Sequence, residues 1–416
     1  MNKILLVCYS FPPNPGVGGR RWAKFAKYLV KKGHHVEVIN ARIKNESVSN
    51  WYKDVEFLHN KNQVHSLPTN YPKIIKKVPT TFLQKIQYRL SYEYLKIKVK
   101  GNIYDKSSLW FNNLIPFVLK KMNEDFDTII CTAAPFHYLG QISKLKKKFP
   151  NVNFIADFRD PWANNAISYG ISDLNEKRLQ EEKQLESIVF ESFDYLICVD
   201  NIHEKYMREL KIDHEKIKVI PNGYDPEDFS SIQIEKKQDH RINIVFTGSL
   251  YFKALSHLEG LYKVLLENEA LRMEFVFNFY GSIPKEGKYM FENSSLQSTL
   301  VFHGKVPLKK VGEKIARGDL TMLFLTDDLN YTKSTKFYEY THLRKKIAVF
   351  SKYGEINQYV VNNKIGYSIE PDGILEGLLK IKEDWLENNL ETPQNYSITS
   401  YSIPSISKSL ESIITS

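Results

Sequence analysis

The chain has 416 residues, 42% of them hydrophobic and 25% charged, a composition that excludes a disordered, collagenous or disulfide-dense protein. At roughly 100–200 residues per domain the length favours two to three domains, with cores large enough to need no disulfide or metal staple. Lys and Arg outnumber Asp and Glu by 58 to 48, a net charge of +10; this is compatible with nucleic acid, an acidic membrane or phosphorylated substrates and does not choose among them.

No apolar run approaches the roughly 20 residues of a transmembrane helix. The opening MNKILLVCYSFPP is shorter than a cleavable signal and has no small-residue cleavage site. Residues 4–8 therefore read as a first strand. Apolar runs at 3–8, 35–39, 128–132, 153–158, 195–200 and 217–221 alternate with helical patterns at 20–32, 138–148, 174–192 and 202–210. A second series has strands at 242–248, 274–281, 300–304, 320–325 and 346–351, with helical patterns at 256–268 and 335–343. Several of these strands are apolar throughout, as parallel strands covered on both faces are. The alternation predicts an α/β protein of two doubly wound, Rossmann-like domains. Residues 44–125 break the rhythm and hold a basic stretch at 73–100. Residues 222–241 are polar and turn-rich. The expected boundaries are a first domain at 1–222, a linker at 223–241, a second domain at 242–395, and a final helix within 396–416 that packs back on the first domain. Cys8, Cys131 and Cys198 sit in apolar runs without metal-ligand spacing and read as buried thiols suited to a reducing cytoplasm.

Chemistry concentrates at strand ends. Gly16, Gly18 and Gly19 lie between the first strand and the helix starting at Arg20, where backbone amides can approach an anion or a turn needs positive φ. Their spacing is neither Walker A nor the dinucleotide fingerprint. Asp157, Arg159 and Asp160 in FIADFRDPW follow a strand directly and form either a site or an internal ion-pair network. His137 follows another strand and reads as a ligand-facing residue, a cap or a core residue. His34 and His35 read as loop residues, and no His, Asp and Glu spacing suggests zinc. Lys336 and Glu339, at i and i+3, share a face near a helix start; the plain alternative is a surface pair worth about 0.2–0.5 kcal/mol.

FPPNPGVGGRRWAKFAKYLVKKGHHVEVI, DFRDPW, VIPNGYDPEDF and KSTKFYEYTHLRKKIAVFS together resemble glycosyltransferase family 4, in order and spacing, over nearly the whole chain. The resemblance implies a GT-B fold, two Rossmann-like domains facing across a cleft. It implies retaining transfer of a sugar from a nucleotide diphosphate donor to a glycan or lipid-linked acceptor, in polysaccharide or cell-surface glycan biosynthesis, with neither metal nor cofactor. The catalytic group it implies is His137, Asp157 and Lys336. Donor contacts fall to Gly18, Gly19, Gly248, Ser249, Lys253, Lys305, Val306, Ser334, Thr335, Lys336 and Glu339. Arg20, Arg159 and Asp160 lie on the acceptor side. On this reading Lys336 neutralises the diphosphate, Glu339 accepts the ribose hydroxyls, and the backbone at Lys305 and Val306 reads the base. Two positions depart from the family's habit: Tyr331 stands where a glutamate is common, and Ser249 where an arginine is. The rival readings are a nucleotide-sugar epimerase or hydrolase of the same fold, and a non-catalytic sugar- or nucleic-acid-binding protein. No aromatic-and-basic RNA motif or DNA-reading helix is present, so no nucleic-acid partner is expected.

The stretch 73–100 carries eight basic residues and one acidic. As a helix it aligns Leu83, Ile86, Leu90, Tyr94 and Ile97 in one stripe and Lys85, Arg89, Lys96 and Lys100 in another. This pattern fits a helix lying on an anionic membrane, or a surface helix packed on its own domain by the apolar stripe. The protein is expected in the cytoplasm, and the first alternative makes it peripheral on the inner face of the plasma membrane.

Overall fold

A computed structural model describes residues 1–43, 48–165, 170–230, 232, 240–326 and 332–415. The chain divides into two compact units. Unit 1 is Met1–Pro221 with Ile406–Ser416, and unit 2 is Asn222–Ser405.

Unit 1 holds seven parallel strands: β1 (Lys3–Val7), β2 (His35–Ala41), β3 (Val64–Leu67), β4 (Thr128–Ala133), β5 (Asn153–Phe158), β6 (Tyr195–Cys198) and β7 (Ile217–Val219). Their order is β3-β2-β1-β4-β5-β6-β7. Central strands are buried on both faces, as their unbroken apolar runs require. Ile4, Leu5, Leu6 and Val7 of β1 lie beside Thr128, Ile129, Ile130 and Cys131 of β4. All three cysteines are free and buried. The edge strand β3 was not visible as a pattern, because its four residues are only half-buried.

His34 lies in the loop before β2 as expected, whereas His35 is already part of the strand. His35 opens β2 opposite Lys3. The buried His34 ring accepts from the Asn2 amide at 3.2 Å and meets Glu411 Oε1 at 3.0 Å. Glu411 lies in the last helix, Ile403–Thr415. From Ile406 onward this helix belongs to unit 1, where Asn2 and Asn153 side chains donate to the carbonyls of Ile414 and Ile413.

The basic stretch forms a short 3₁₀ turn at Lys73–Lys76 and then the helix Phe82–Lys98. Pro79 separates the two, and Thr81 caps the helix in a reciprocal box with Gln84. The apolar stripe does not pack the helix on its unit. Leu95 and Val99 do, in a small cluster with Tyr71, Ile103 and Leu109.

Unit 2 holds β8 (Ile242–Ser249), β9 (Phe275–Ser282), β10 (Leu300–Gly304), β11 (Leu320–Phe324), β12 (Ile347–Phe350) and β13 (Gly366–Ile369), all parallel, in the order β10-β9-β8-β11-β12-β13. Phe246, Phe279, Phe324 and Phe350 interlock in its core, with Phe324 and Phe350 stacked at 4.8 Å. Residues at the start of the expected linker pack inside this unit: Tyr224 is buried and stacks on His342 at 4.1 Å. Residues 231 and 233–239 of that linker lie outside the described residues.

Candidate active site

An open parallel sheet leaves a crevice at the carboxyl ends of its strands where the strand order reverses. In unit 2 that point lies between β8 and β11. β8 runs out into Gly248 and Ser249, in register with Gly281 and Ser282 of β9. After β11 the chain returns as the helix Thr335–His342. The Tyr340 hydroxyl ties this helix to β8 through Thr247, accepting from its amide at 2.9 Å and meeting its Oγ1 at 3.0 Å. One turn earlier Lys336 reaches over the strand end. Its Nζ donates to the Ser249 carbonyl at 3.2 Å and lies 4.6 Å from the Phe246 ring centroid. This approach requires two glycines. A Cβ on Gly248 (φ 101°) would stand 2.5 Å from Lys336 Cε, and one on Gly281 (φ 147°) 1.7 Å from the Gly248 carbonyl oxygen.

Among the described residues Lys336 Nζ is met by a carbonyl and an aromatic face rather than by a carboxylate. Burial pulls its pKa down to about 8, opposed by the charge of Glu339 one turn along the same helix. Ser334 caps the helix in extended conformation without using its side chain, and its Oγ is buried with no partner among the described residues. Thr335 follows, so the first-turn amides point out of the helix. A half-buried cation, an unused hydroxyl and helix-end amides are the elements of an anion site.

Lys253 lies in the exposed turn Phe252–Ala254 just past the end of β8. Lys305 and Val306 follow Gly304 at the end of β10, two strands from β8. Beside them His303 stacks on Tyr280 at 4.3 Å and meets Asn278 Oδ1 at 2.7 Å. Tyr331 lies outside the described residues. Sequence reasoning missed Tyr340 and Gly281. The echo of FTGS at 246–249 in FYGS at 279–282 was the available signal, since the two strings are in register.

In unit 1 the order reverses between β1 and β4. Gly19 caps the helix Arg20–Lys31, and a Cβ there would meet the Ser10 carbonyl at 2.2 Å. Arg159, just past β5, stitches the loops after β1 and β4 together. It donates to the carbonyls of Gly18 at 2.8 Å, Ala133 at 3.1 Å and Ala134 at 3.1 Å. Asp160 beside it is half-buried, and Arg20 is buried at the helix start. Asp157 takes the ion-pair arrangement, one of the two its motif allowed. Its carboxylate is fully buried and accepts from Arg21 Nε and NH2 at 3.0–3.2 Å and from Trp22 Nε1 at 2.6 Å. Arg21 in turn donates to the carbonyls of Ile220 and Pro221. Asp157 is thus a positioning residue in an internal ion pair.

His137 is buried. Its Nε2 meets Glu182, which also accepts from Trp162 Nε1 and the Asn102 amide. Burial alone would lower its pKa, but the charges of Glu182 and Asp105 outweigh burial and raise it to about 9.

A family model described as Glycosyltransferase Family 4 matches residues 18–228, just over half of the chain. No curated protein matches the chain in sequence. Anabaena HepE in complex with UDP and glucose superposes with a TM-score of 0.60 at 11% identity, all of both chains being covered. The lipopolysaccharide outer core galactosyltransferase WaaB superposes at 0.57 and 11%, with 99% of each chain covered. The UDP-GlcNAc 2-epimerase of Methanocaldococcus jannaschii does so at 0.50 and 13%, again over 99% of each chain. At these identities the solved structures show the fold, which is GT-B. Fold and matched segment agree with the motifs read from the residues: the chain belongs to Glycosyltransferase Family 4.

Proposed function

We propose that this protein is a retaining, metal-independent glycosyltransferase that moves a sugar from a nucleotide diphosphate donor to a glycan or lipid-linked acceptor in polysaccharide or cell-surface glycan biosynthesis. The observation that carries the donor assignment is the join of Gly248, Ser249 and Lys336 at the switch point of unit 2. A diphosphate there is met by Lys336 Nζ, by Ser334 Oγ and by the amides of the first turn. Glu339, on the same helix, takes the ribose hydroxyls, and the backbone at Lys305 and Val306 takes the base. Lys253 adds charge at the mouth.

Catalysis on this reading is electrostatic and positional. The acceptor hydroxyl oxygen bonds to the anomeric carbon as the bond from that carbon to the diphosphate oxygen breaks. The hydroxyl proton passes to the departing phosphate oxygen on the same face. Charge grows on the leaving diphosphate, and the cation over Ser249 stabilises it. The UDP complexes of HepE make uracil the first base to try.

The test is calorimetric titration of UDP and UDP-sugars into wild-type protein and Lys336→Met. Binding that the substitution leaves unchanged overturns the donor site. The epimerase among the structural neighbours keeps a second reading open to measurement. Donor consumption that needs no acceptor and returns an epimer or free sugar supports that reading instead.

A further inference from the structure

The helix Phe82–Lys98 faces two ways. Leu95 and Val99, with half-buried Tyr88 and Tyr92, turn inward. On the opposite side Phe82, Leu83, Ile86, Leu90, Tyr94 and Ile97 recur at three- and four-residue spacing and stand in solvent. Phe82 is 76% exposed, Leu83 77%, Leu90 67% and Ile97 81%. Val78, just before the helix, is 86% exposed. Monomeric proteins rarely leave a contiguous apolar surface of this kind uncovered. Lys85, Arg89 and Lys96 run along one border of the stripe and Lys98 along the other, all exposed.

We infer that this face docks on an anionic lipid bilayer, lying in the interface with its apolar stripe among the upper acyl chains and its lysines and arginine at the headgroups. Charge complementarity selects this occupant. The stretch 73–100 carries eight basic side chains against one glutamate, so a second copy of the same face would be repelled, whereas acidic headgroups are attracted. The form fits as well. At 1.5 Å per residue the 17-residue helix is about 25 Å long, and a basic helix with one apolar face lies in the membrane plane rather than crossing it.

The C-terminal end of the helix is also tied to its unit. Arg178 donates to the carbonyls of Lys96, Val99 and Gly101, and Glu181 accepts from the Gly101 amide. Arg178 and Glu181 lie on the helix Glu176–Ser192 that carries Glu182, the partner of His137. A bilayer on this face is therefore held at a set orientation to the loop after β4.

The experiment is sedimentation of the full-length chain with phosphatidylcholine vesicles, with and without phosphatidylglycerol, at low and high salt. Anionic vesicles should take up the protein, neutral ones should not, and salt should release it. Replacing Lys85, Arg89, Lys96 and Lys98 with glutamine should lower the partition coefficient by about a hundred-fold or more. Leu83→Ser with Leu90→Ser and Ile97→Ser should abolish binding even at low salt. Both variants alter exposed side chains, so their melting temperatures and UDP titrations should match wild type; this separates the result from the donor assignment. Equal binding to neutral vesicles, indifference to the serine changes, or vesicle-free self-association that those changes abolish would overturn the inference.

Discussion

At the switch point of unit 1, Asp157 is answered by Arg21 and Trp22, His137 by Glu182, and Arg159 by three loop carbonyls. At the same topological position in unit 2, Lys336 rests on a carbonyl and a phenyl ring, beside a buried hydroxyl with no partner among the described residues. In both sheets the strand order reverses beside the first strand, between β1 and β4 and between β8 and β11. One crevice satisfies its charges from within and so rigidifies its loops. The other leaves a half-buried cation that an incoming anion can complete. Strand order supplies a place for a site, and the charge balance there decides whether a ligand is needed.

The comparison breaks most visibly at Asp157. Asp157→Ala leaves Arg21 buried with its main acceptor gone, and truncating one member of a buried ion pair costs about 3–5 kcal/mol. Chemical denaturation should register that loss, and a loss below 1 kcal/mol would mean the pair is ordinary surface electrostatics. Lys336→Met should do the reverse. Stability should hold, because a half-buried charge has been removed, while UDP affinity falls by about 2–5 kcal/mol, the range for truncating a buried charge partner. Glu339→Ala should weaken the nucleotide by about 1.5–3 kcal/mol through the ribose hydroxyls. Equal loss for a ribose-free diphosphate would move Glu339 out of that role.

Two pH profiles sharpen the contrast. The His137–Glu182 pair stabilises unit 1 fully below the usual histidine value near 6.5, and that stability is lost as pH rises through about 9. Glu182, held below its usual range by His137 against the effect of burial, adds stability that is lost as pH falls through its lowered value. Melting temperature against pH should show the upper edge, and His137→Gln should erase it. If the proposed donor site is right, the charged form of Lys336 meets the diphosphate, so UDP affinity should be full below about pH 8 and decline above it by at most tenfold per pH unit. A flat calorimetric profile to pH 10 would remove Lys336 from the phosphate. The smallest expected effect is none: turnover should survive EDTA, and activity lost there and restored by Mg²⁺ or Mn²⁺ would end the metal-independent reading.

Continuous apolar runs made the central strands legible from residues alone, because parallel strands buried on both faces need no partner to declare themselves. β3 and β13 stayed hidden: edge strands of four residues, all half-buried in β3 and three of them in β13, carry no such run. The helix at Arg20 was readable from the glycines before it, and the helix at Phe82 from the spacing of its stripes, though its start after Pro79 with Thr81 as cap was not read. Which face of the Phe82 helix is buried was not. Its inward residues, Leu95 and Val99, are no more apolar than its outward stripe, and only the neighbours Tyr71, Ile103 and Leu109 decide between the two.

Local sequence determined the positions of the candidate groups, since strand ends and helix starts are short-range features. That Asp157 faces Arg21, 136 residues away, and that Lys336 lies over Ser249, 87 residues away, was left to the tertiary structure. Hydrogen bonds and ion pairs act over a few ångströms, and which distant residues come that close is settled by sheet register, such as Gly248 against Gly281, rather than by spacing along the chain. Chemistry was therefore readable residue by residue. The division between a carboxylate paired with a guanidinium and a lysine resting on a carbonyl was set only when the two sheets had formed.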